Sequence, residues 1–440
     1  MQNFLNFSTQ NFQKNFRFDT RHCNEKSIFI ALETSTKSGT EFINDAFANN
    51  AICTISQKTI PNIPNIPIES FPNDFSTNEK FNIIVEDTLK FMQEISKIRF
   101  QQLIKLGIQA ISITGSVGKT TTKEIIANTL HTFGKTFANF SNYNNHIGVP
   151  ITILNCPLDA KFLVLEMGMN HANEIKFLTE LAPCQFRLIT NAKESHSGNF
   201  TNGTEGVLEA KFEIMEGQTP FELFINHELF TRFQKNHNLI KKYHNNTFNI
   251  FNMEADIKYF HETTQFQYQN RFFTVKTIYS KEQIEMICLA LYAMEKILLE
   301  PIYEVIIPEI KGRGSVVLWQ NTRIIDESYN ASPSSMQNAL TNFAKLNGSK
   351  LAILGDMLEL GQESQKFHNE MSPFLTNIDC ILVGKHFINL NIENSYKFEN
   401  YQLLKEFLIS NKSLLQSYQN ILVKSSNGTL LWKLFDDIFV

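Results

Sequence analysis

Residues 114–124 read Thr-Gly-Ser-Val-Gly-Lys-Thr-Thr-Thr-Lys-Glu, and this run constrains the fold more than any other feature of the chain. It has the short form G-x-x-G-K-T of a phosphate-binding loop. The stretch before it, Ile108–Thr114, is apolar and β-branched, as a buried strand requires. Lys119–His131 after it has helical spacing. Strand, glycine turn and helix in that order is the setting the motif needs. Gly115, Ser116, Val117, Gly118 and Thr121 are then candidates to cradle polyphosphate through backbone N–H groups and the helix N-terminus. Lys119 reaches the outer phosphates and Thr120 is placed to hold Mg²⁺. Glycine is scarce here, 18 of 440 residues, against a usual ~7%. Two glycines flanking one lysine are therefore not compositional background.

The chain has 440 residues, enough for two to four domains. Hydrophobic residues at 42% and charged residues at 19% suit a globular protein with a sizeable core. The net charge of −4 argues against nucleic acid as a partner and leaves a nucleotide substrate open. The six cysteines (Cys23, Cys53, Cys156, Cys184, Cys288 and Cys380) are scattered with no C-x-x-C pair. Neither a zinc site nor a disulfide framework is expected, and the implied compartment is reducing. Met1–Phe18 alternates Phe with Asn, Gln and Ser and has no signal-peptide pattern. Apolar runs such as Cys288–Met294 fall far short of a membrane span. A cytoplasmic protein without a membrane partner is expected.

Strand-like runs at Ser27–Leu32, Ala51–Ile55 and Phe81–Val85 are interrupted by a loop at Pro61–Pro72, and Glu86–Gln102 has helical spacing. From about 103 to 312, short apolar runs (Ala110–Thr114, Phe162–Glu166, Phe186–Thr190) alternate with helical stretches. That is the pattern of a doubly wound parallel sheet, which binds ligands at the carboxyl ends of its strands. Between 218 and 275 the aromatic alternation predicts antiparallel strands, followed by an amphipathic helix at Lys281–Leu299. After Gly312-Arg313-Gly314 the alternation restarts with strands at Arg323–Ile325, Lys350–Leu354, Cys380–Val383 and Asn420–Val423, and a helix at Ser334–Leu346. The predicted fold class is α/β with three domains: a small N-terminal α/β domain at 1–100, a central P-loop doubly wound sheet domain at 101–312, and a C-terminal Rossmann-like domain at 313–440.

The phosphate loop alone says only nucleotide. Phe162–Glu166 narrows it, because a carboxylate ending a core strand beside the loop can hold Mg²⁺, although such a group is as readily a surface carboxylate. Leu188-Ile189-Thr190-Asn191 is a further strand end, leading to His196 and to Lys211 within Gly206–Ile214. A lone His in a polar loop is usually solvated, and a lone Lys on a helix usually makes a surface ion pair. Both matter here because they follow two strands of the same sheet.

Longer stretches resemble a known family. Asp19-Thr20-Arg21, Phe29–Leu32 and Ser38–Ile43 are similar to a nucleotide-sugar domain. Asn142-Tyr143-Asn144-Asn145-His146-Ile147-Gly148-Val149-Pro150, Glu166-Met167-Gly168-Met169-Asn170, Ile324–Pro333 and Leu354–Gly361 with His368 complete a pattern that resembles the Mur ligases. These are ATP-dependent enzymes that build the peptidoglycan stem peptide. UDP-N-acetylmuramoyl-tripeptide and D-alanyl-D-alanine are the substrates that the resemblance implies. The resemblance implies ATP and Mg²⁺ as cofactors. Lys119 would contact the ATP phosphates, Thr120 and Glu166 would hold one Mg²⁺, and His196 and Lys211 a second, with Lys211 carbamylated. Lys119, Glu166, His196 and Lys211 would form the catalytic set. Arg313, Asp326, Tyr329 and Asn330 would meet ATP from the last domain. Thr20, Arg21, Ser38, Asn142, Asn144 and Asn145 would bind the UDP-sugar substrate. A monomer without nucleic-acid partners is expected.

The chain departs from the family pattern at three places. His146 stands where an acidic residue is usual, Lys424-Ser425-Ser426-Asn427 departs from K-G-S-R, and Lys281–Leu299 lacks H-N-x-x-N, with Met286 or a neighbour in its place. Adenine recognition is therefore expected to rest more on backbone contacts and packing. The rival readings are a Mur ligase adding a single amino acid, a folylpolyglutamate synthase-like ligase, and a P-loop regulatory ATPase that ligates nothing. Asp326–Pro333 argues against the first two.

Overall fold

The computed structural model describes residues 1, 3–5, 15–34, 38–72, 79–195, 197–217, 220–244, 246–252, 257–260, 263–275, 279–393 and 395–439. The N-terminal sheet is all parallel, with strands in the spatial order Asn15–Arg17, Ser27–Ile30, Cys53–Ser56, Phe81–Ile84 and Asn65–Pro67. The last of these lies inside the stretch expected to be a loop. Asn65 stitches that turn together through Ile60 and Ile63, which frees Asn65–Pro67 to pair at the sheet edge, where a proline costs no ladder bond.

The next element is the helix Thr88–Lys105, capped by Asp87. Its first half packs Phe91, Met92 and Ile95 on the N-terminal sheet, and its second half packs Phe100 and Leu103 on the central one. A boundary drawn at 100 falls within this shared helix. The helix Gly148–Asn155 is divided in the same way, with Ile151 and Leu154 facing one core and Val149 and Ile153 the other.

The central sheet has six parallel strands in the order Phe248–Phe251, Glu222–Asn226, Phe186–Ile189, Gln109–Thr114, Phe162–Glu166 and Thr136–Ala138. Phe162–Leu165 are buried on both faces, each stabilising the fold by about 1.5–3 kcal/mol relative to exposure. The chain leaves the middle strand Gln109–Thr114, reaches one edge, returns, and then crosses to the other side at Phe186–Ile189. Gln109–Thr114 is thus the switch point, and its carboxyl end opens a crevice.

The expectation for 218–275 needs correcting. Glu222–Asn226 and Phe248–Phe251 extend the parallel sheet, with helices His227–Lys235 and His237–Tyr243 between them. Among the described residues of this stretch, only Ile257–Phe260, Thr263–Tyr268 and Arg271–Val275 form an antiparallel sheet. The helix Lys281–Leu298 starts from a capping box of Ser280 and Gln283, and packs Ile284, Ile287 and Cys288 toward the helix Lys119–His131.

The last sheet runs Ser315–Trp319, Thr322–Glu327, Asn420–Lys424, Lys350–Gly355, Asp379–Val383 and Ser395–Phe398. It is parallel except for the edge strand Ser315–Trp319. The architecture is α/β in three domains. Among the described residues, no helix is long and apolar enough to cross a membrane.

Candidate active site

At Thr114 the middle strand ends, and the chain turns through Gly115 (φ +149°) and Gly118 (φ +82°) into the helix Lys119–His131. A Cβ on Gly115 would lie 2.0 Å from Thr190 Oγ1, and one on Gly118 would lie 2.3 Å from Met286 Sδ. Both positions need glycine for conformation, and Gly115 needs it also for space, because Thr190 Cβ and Asn191 N lie 3.1 and 3.2 Å from its Cβ position. The turn is tied to the strand end beside it. Ser116 N–H donates to the Asn191 carbonyl at 3.1 Å and Val117 N–H to Asn191 Oδ1 at 2.9 Å. The Thr190 hydroxyl and Asn191 Nδ2 donate to the Val117 carbonyl at 2.8 and 2.9 Å.

On the other side stands Glu166, 2% exposed. The Thr120 hydroxyl donates to its Oε2 at 2.8 Å and Asn144 Nδ2 to its Oε1 at 2.7 Å. Lys119 Nζ donates to the Gly115 carbonyl at 2.7 Å and the Ser116 carbonyl at 3.2 Å. Burial lowers the Lys119 pKa, Glu166 pulls it back up, and the Arg313 charge adds to the lowering. Three elements thus place their charges within reach of one another.

Lys211 lies in the last turn of the helix Gly203–Phe212. It is fully buried, and among the described residues its Nζ has no hydrogen-bond partner. Burial and then the Lys119 charge push its pKa well below the usual lysine value, against Glu213, Glu166 and Glu174. That shift favours the neutral, nucleophilic form of the amine. His196 lies outside the described residues. Among the described residues, no group of three or more His, Cys, Asp or Glu is placed to hold a metal ion. Thr120 and Glu166 do supply hard oxygens at one point, a donor set that suits Mg²⁺.

Lys119, Thr120 and Glu166 line a cavity of about 330 Å³, which Lys211 does not line; the volume is within the range of ~300–1,000 Å³ for small-molecule sites. One wall is the phosphate loop with Asn144 and Glu166, and the facing wall is Arg313, Tyr329, Asn330 and Lys424 of the last domain. The Arg313 guanidinium stacks 4.1 Å from the Tyr329 ring centre. Lys424 donates to Glu327 at 2.8 Å and to the Asn330 carbonyl at 3.3 Å, so it braces that wall.

Asp326 does not line the cavity. Its carboxylate accepts from Gly312 N–H at 2.9 Å and from the Ser328 N–H and hydroxyl at 3.1 and 2.6 Å, which fixes the turn presenting Arg313. Nor do Thr20, Arg21, Ser38, Asn142 or Asn145 line it. Arg21 forks onto Asp19 and holds that carboxyl down to about 2. Ser38 donates to Glu33 at 3.0 Å, and Asn145 Oδ1 accepts from Gly148 N–H at 2.9 Å. Met286 lies at the cavity, as the departure from H-N-x-x-N suggests. Glu327 of the Ile324–Pro333 motif lines it too, and so do Lys193 and Ser195, which were not singled out. Lys193 and Ser195 sit in motif-free loop positions, where only the fold brings them to the site.

Comparison with known proteins agrees with this geometry. Residues 113–293 match the Mur ligase middle domain, and residues 312–395 the Mur ligase, glutamate ligase domain. The chain is 30% identical over 447 residues to the UDP-N-acetylmuramoyl-tripeptide–D-alanyl-D-alanine ligase of Bacillus subtilis, covering 96% of this chain and 92% of that protein. Its fold is that of MurF from Acinetobacter baumannii, with a TM-score of 0.77, 23% identity, and 98% and 94% of the two chains covered. A similar likeness joins it to the MurF ligase of Thermotoga maritima in complex with ADP, with a TM-score of 0.75, 22% identity and 96% of each chain covered.

Proposed function

The chain belongs to the Mur ligase family, and we propose that it joins D-alanyl-D-alanine to UDP-N-acetylmuramoyl-tripeptide at the expense of ATP, in peptidoglycan precursor synthesis. The observation that carries this reading is the likeness to the Bacillus subtilis ligase along nearly the whole chain, together with a cavity walled by both a phosphate loop and the last domain.

ATP fits that cavity with its phosphates on Gly115–Thr121 and Lys119, and Arg313 closing from the opposite wall. Mg²⁺ fits Thr120 and Glu166, where it would neutralise phosphate charge. The orphaned Lys211 amine is suited to take up CO₂ as a carbamate. That would turn a buried amine into an anionic oxygen ligand for a second Mg²⁺, shared with His196. The tripeptide's terminal carboxylate attacks the γ-phosphorus, ADP leaves, and an acyl phosphate forms. The amine of D-alanyl-D-alanine then attacks the acyl carbon, loses a proton, and expels phosphate. Lys119 stabilises charge on the transferring oxygens by position alone, and the closed wall keeps water from the acyl phosphate. Asn144 and the neighbouring Asn142 and Asn145 mark the direction of the UDP-sugar, toward Thr20, Arg21 and Ser38.

The test is phosphate release with ATP and UDP-muramoyl-tripeptide, with and without D-alanyl-D-alanine. Release that depends on the dipeptide is expected. Release indifferent to it points to a plain ATPase, and release driven instead by a single amino acid points to another ligase of the family.

A further inference from the structure

We propose that Lys123 and Asn139 are positioning residues that set the Glu166 carboxylate against Thr120 and couple it to the loop at Asn142–Asn145. Lys123 follows Thr120 by three positions on the helix Lys119–His131, so the two share a face. Its side chain is completely buried. Nζ donates to the Asn139 carbonyl at 2.6 Å and pairs with Glu124 at 2.7 Å. An ammonium buried this deeply is costly unless its partners are fixed, so the geometry around it is tightly specified.

Asn139 is what it fixes. The strand Thr136–Ala138 pairs with Phe162–Val164 and stops there. Beyond that point the Asn139 side chain continues the ladder. Its Oδ1 accepts from Glu166 N–H at 2.7 Å, and its Nδ2 donates to the Glu166 carbonyl at 2.9 Å and to the Tyr143 carbonyl at 2.8 Å. One amide therefore holds both backbone groups of Glu166 and the start of the asparagine loop. The loop returns the contact, since Asn144 donates to the Glu166 carboxylate at 2.7 Å and its carbonyl accepts from Gly168 N–H at 2.7 Å. Helix, strand end and loop close into a ring running Thr120, Lys123, Asn139, Glu166 and back to Thr120. Supports of this kind aim a ligand group more narrowly than its own rotamer does. Neither Lys123 nor Asn139 lines the cavity, so each acts through Glu166.

The proposal rests on reading Thr120 and Glu166 as metal ligands, and the test separates the two. Binding of a non-hydrolysable ATP analogue is measured by calorimetry with and without Mg²⁺, alongside thermal melting, for wild type, Lys123→Met, Asn139→Ala and the isosteric Asn139→Asp. Asn139→Asp keeps the acceptor for Glu166 N–H and turns the donor into an oxygen facing two carbonyls. The expected result is nucleotide affinity without Mg²⁺ unchanged, and a Mg²⁺-dependent gain reduced about 10-fold or more. Lys123→Arg is expected to recover part of that gain. Variants that melt earlier yet keep the full gain are merely structural and overturn the proposal; if Lys123→Met does not fold, Asn139→Asp decides alone. A wild type with no Mg²⁺-dependent gain overturns the metal reading and the proposal with it.

Discussion

The Thr120 hydroxyl donates to the Glu166 carboxylate across 2.8 Å, so the first helical turn after the glycine loop and the end of the next strand converge on one pair of oxygens. Both residues are buried. If this pair holds Mg²⁺, Thr120→Val removes one ligand at nearly constant shape. The Mg²⁺ concentration for half-maximal phosphate release is expected to rise about 10-fold or more, the scale of losses around metal sites. Thr120→Ser should restore it. An unchanged Mg²⁺ midpoint in Thr120→Val takes the hydroxyl out of the metal site.

A second expectation concerns closure of the last domain. Gly198, two residues past His196, packs its backbone on Gly361 of that domain. A Cβ on Gly198 would stand 2.7 Å from Gly361 N and 2.9 Å from its Cα. Backbone faces backbone, so no side chain can swing aside. Gly198→Ala should leave nucleotide binding at the phosphate loop intact while lowering turnover, because the two walls no longer meet. Scattering with ligands bound should report a less compact chain than wild type. Wild-type turnover in Gly198→Ala would show that this contact is not made in the working state.

Much of the fold was legible because its core strands are short, apolar and bounded by turn residues. Phe162–Glu166 was read to the residue. Thr136–Ala138 was missed because three half-buried residues carry no periodicity. The strands Glu222–Asn226 and Phe248–Phe251 were misjudged as antiparallel because aromatic alternation reports exposure of one face, not strand direction. In the site, the phosphate loop and Glu166 were readable from local order. Asp326 was placed toward ATP by its motif, but its oxygens are committed to Gly312 and Ser328. Lys123 and Asn139 carry no motif, and their meaning depends on a hydrogen-bond geometry that spacing does not encode.

A third expectation follows from His368, completely buried. Its Nδ1 lies 2.6 Å from the Ser364 carbonyl, and Met357 N–H donates to Nε2 at 3.0 Å. That pattern fits only the neutral ring with its proton on Nδ1. Burial lowers the pKa below the usual 6.5; the Ser364 carbonyl and Asp356 oppose this, and His386 adds to it. With the folded value depressed, the unfolded chain binds the proton more readily. The stability contribution is therefore present above about pH 6.5 and is lost as the pH falls through the folded value. Urea midpoints should fall from about pH 7 to about pH 5, and less steeply in His368→Asn than in wild type. Equal slopes in the two proteins would assign the acid sensitivity elsewhere.

The last expectation sets stability against activity at Lys211. Its amine is fully buried with no hydrogen-bond partner among the described residues, an arrangement that costs about 1–3 kcal/mol for an unsatisfied polar group. Its pKa is depressed well below the lysine value, so the unfolded chain takes up a proton that the folded chain resists. The penalty thus grows as the pH falls from the ordinary lysine range. Lys211→Met fills the same space without a polar atom, and in CO₂-free buffer it should melt above wild type. If the amine is the precursor of a carbamate ligand, bicarbonate with Mg²⁺ should raise the wild-type melting temperature, since a ligand bound only to the folded state stabilises it. Lys211→Met should show no such rise and almost no turnover. In Lys211→Ala, short carboxylic acids should restore part of the activity by supplying the missing oxygen to the vacated space. A Lys211→Met enzyme that is both more stable and fully active would make the residue a packing element and remove the second metal from the mechanism.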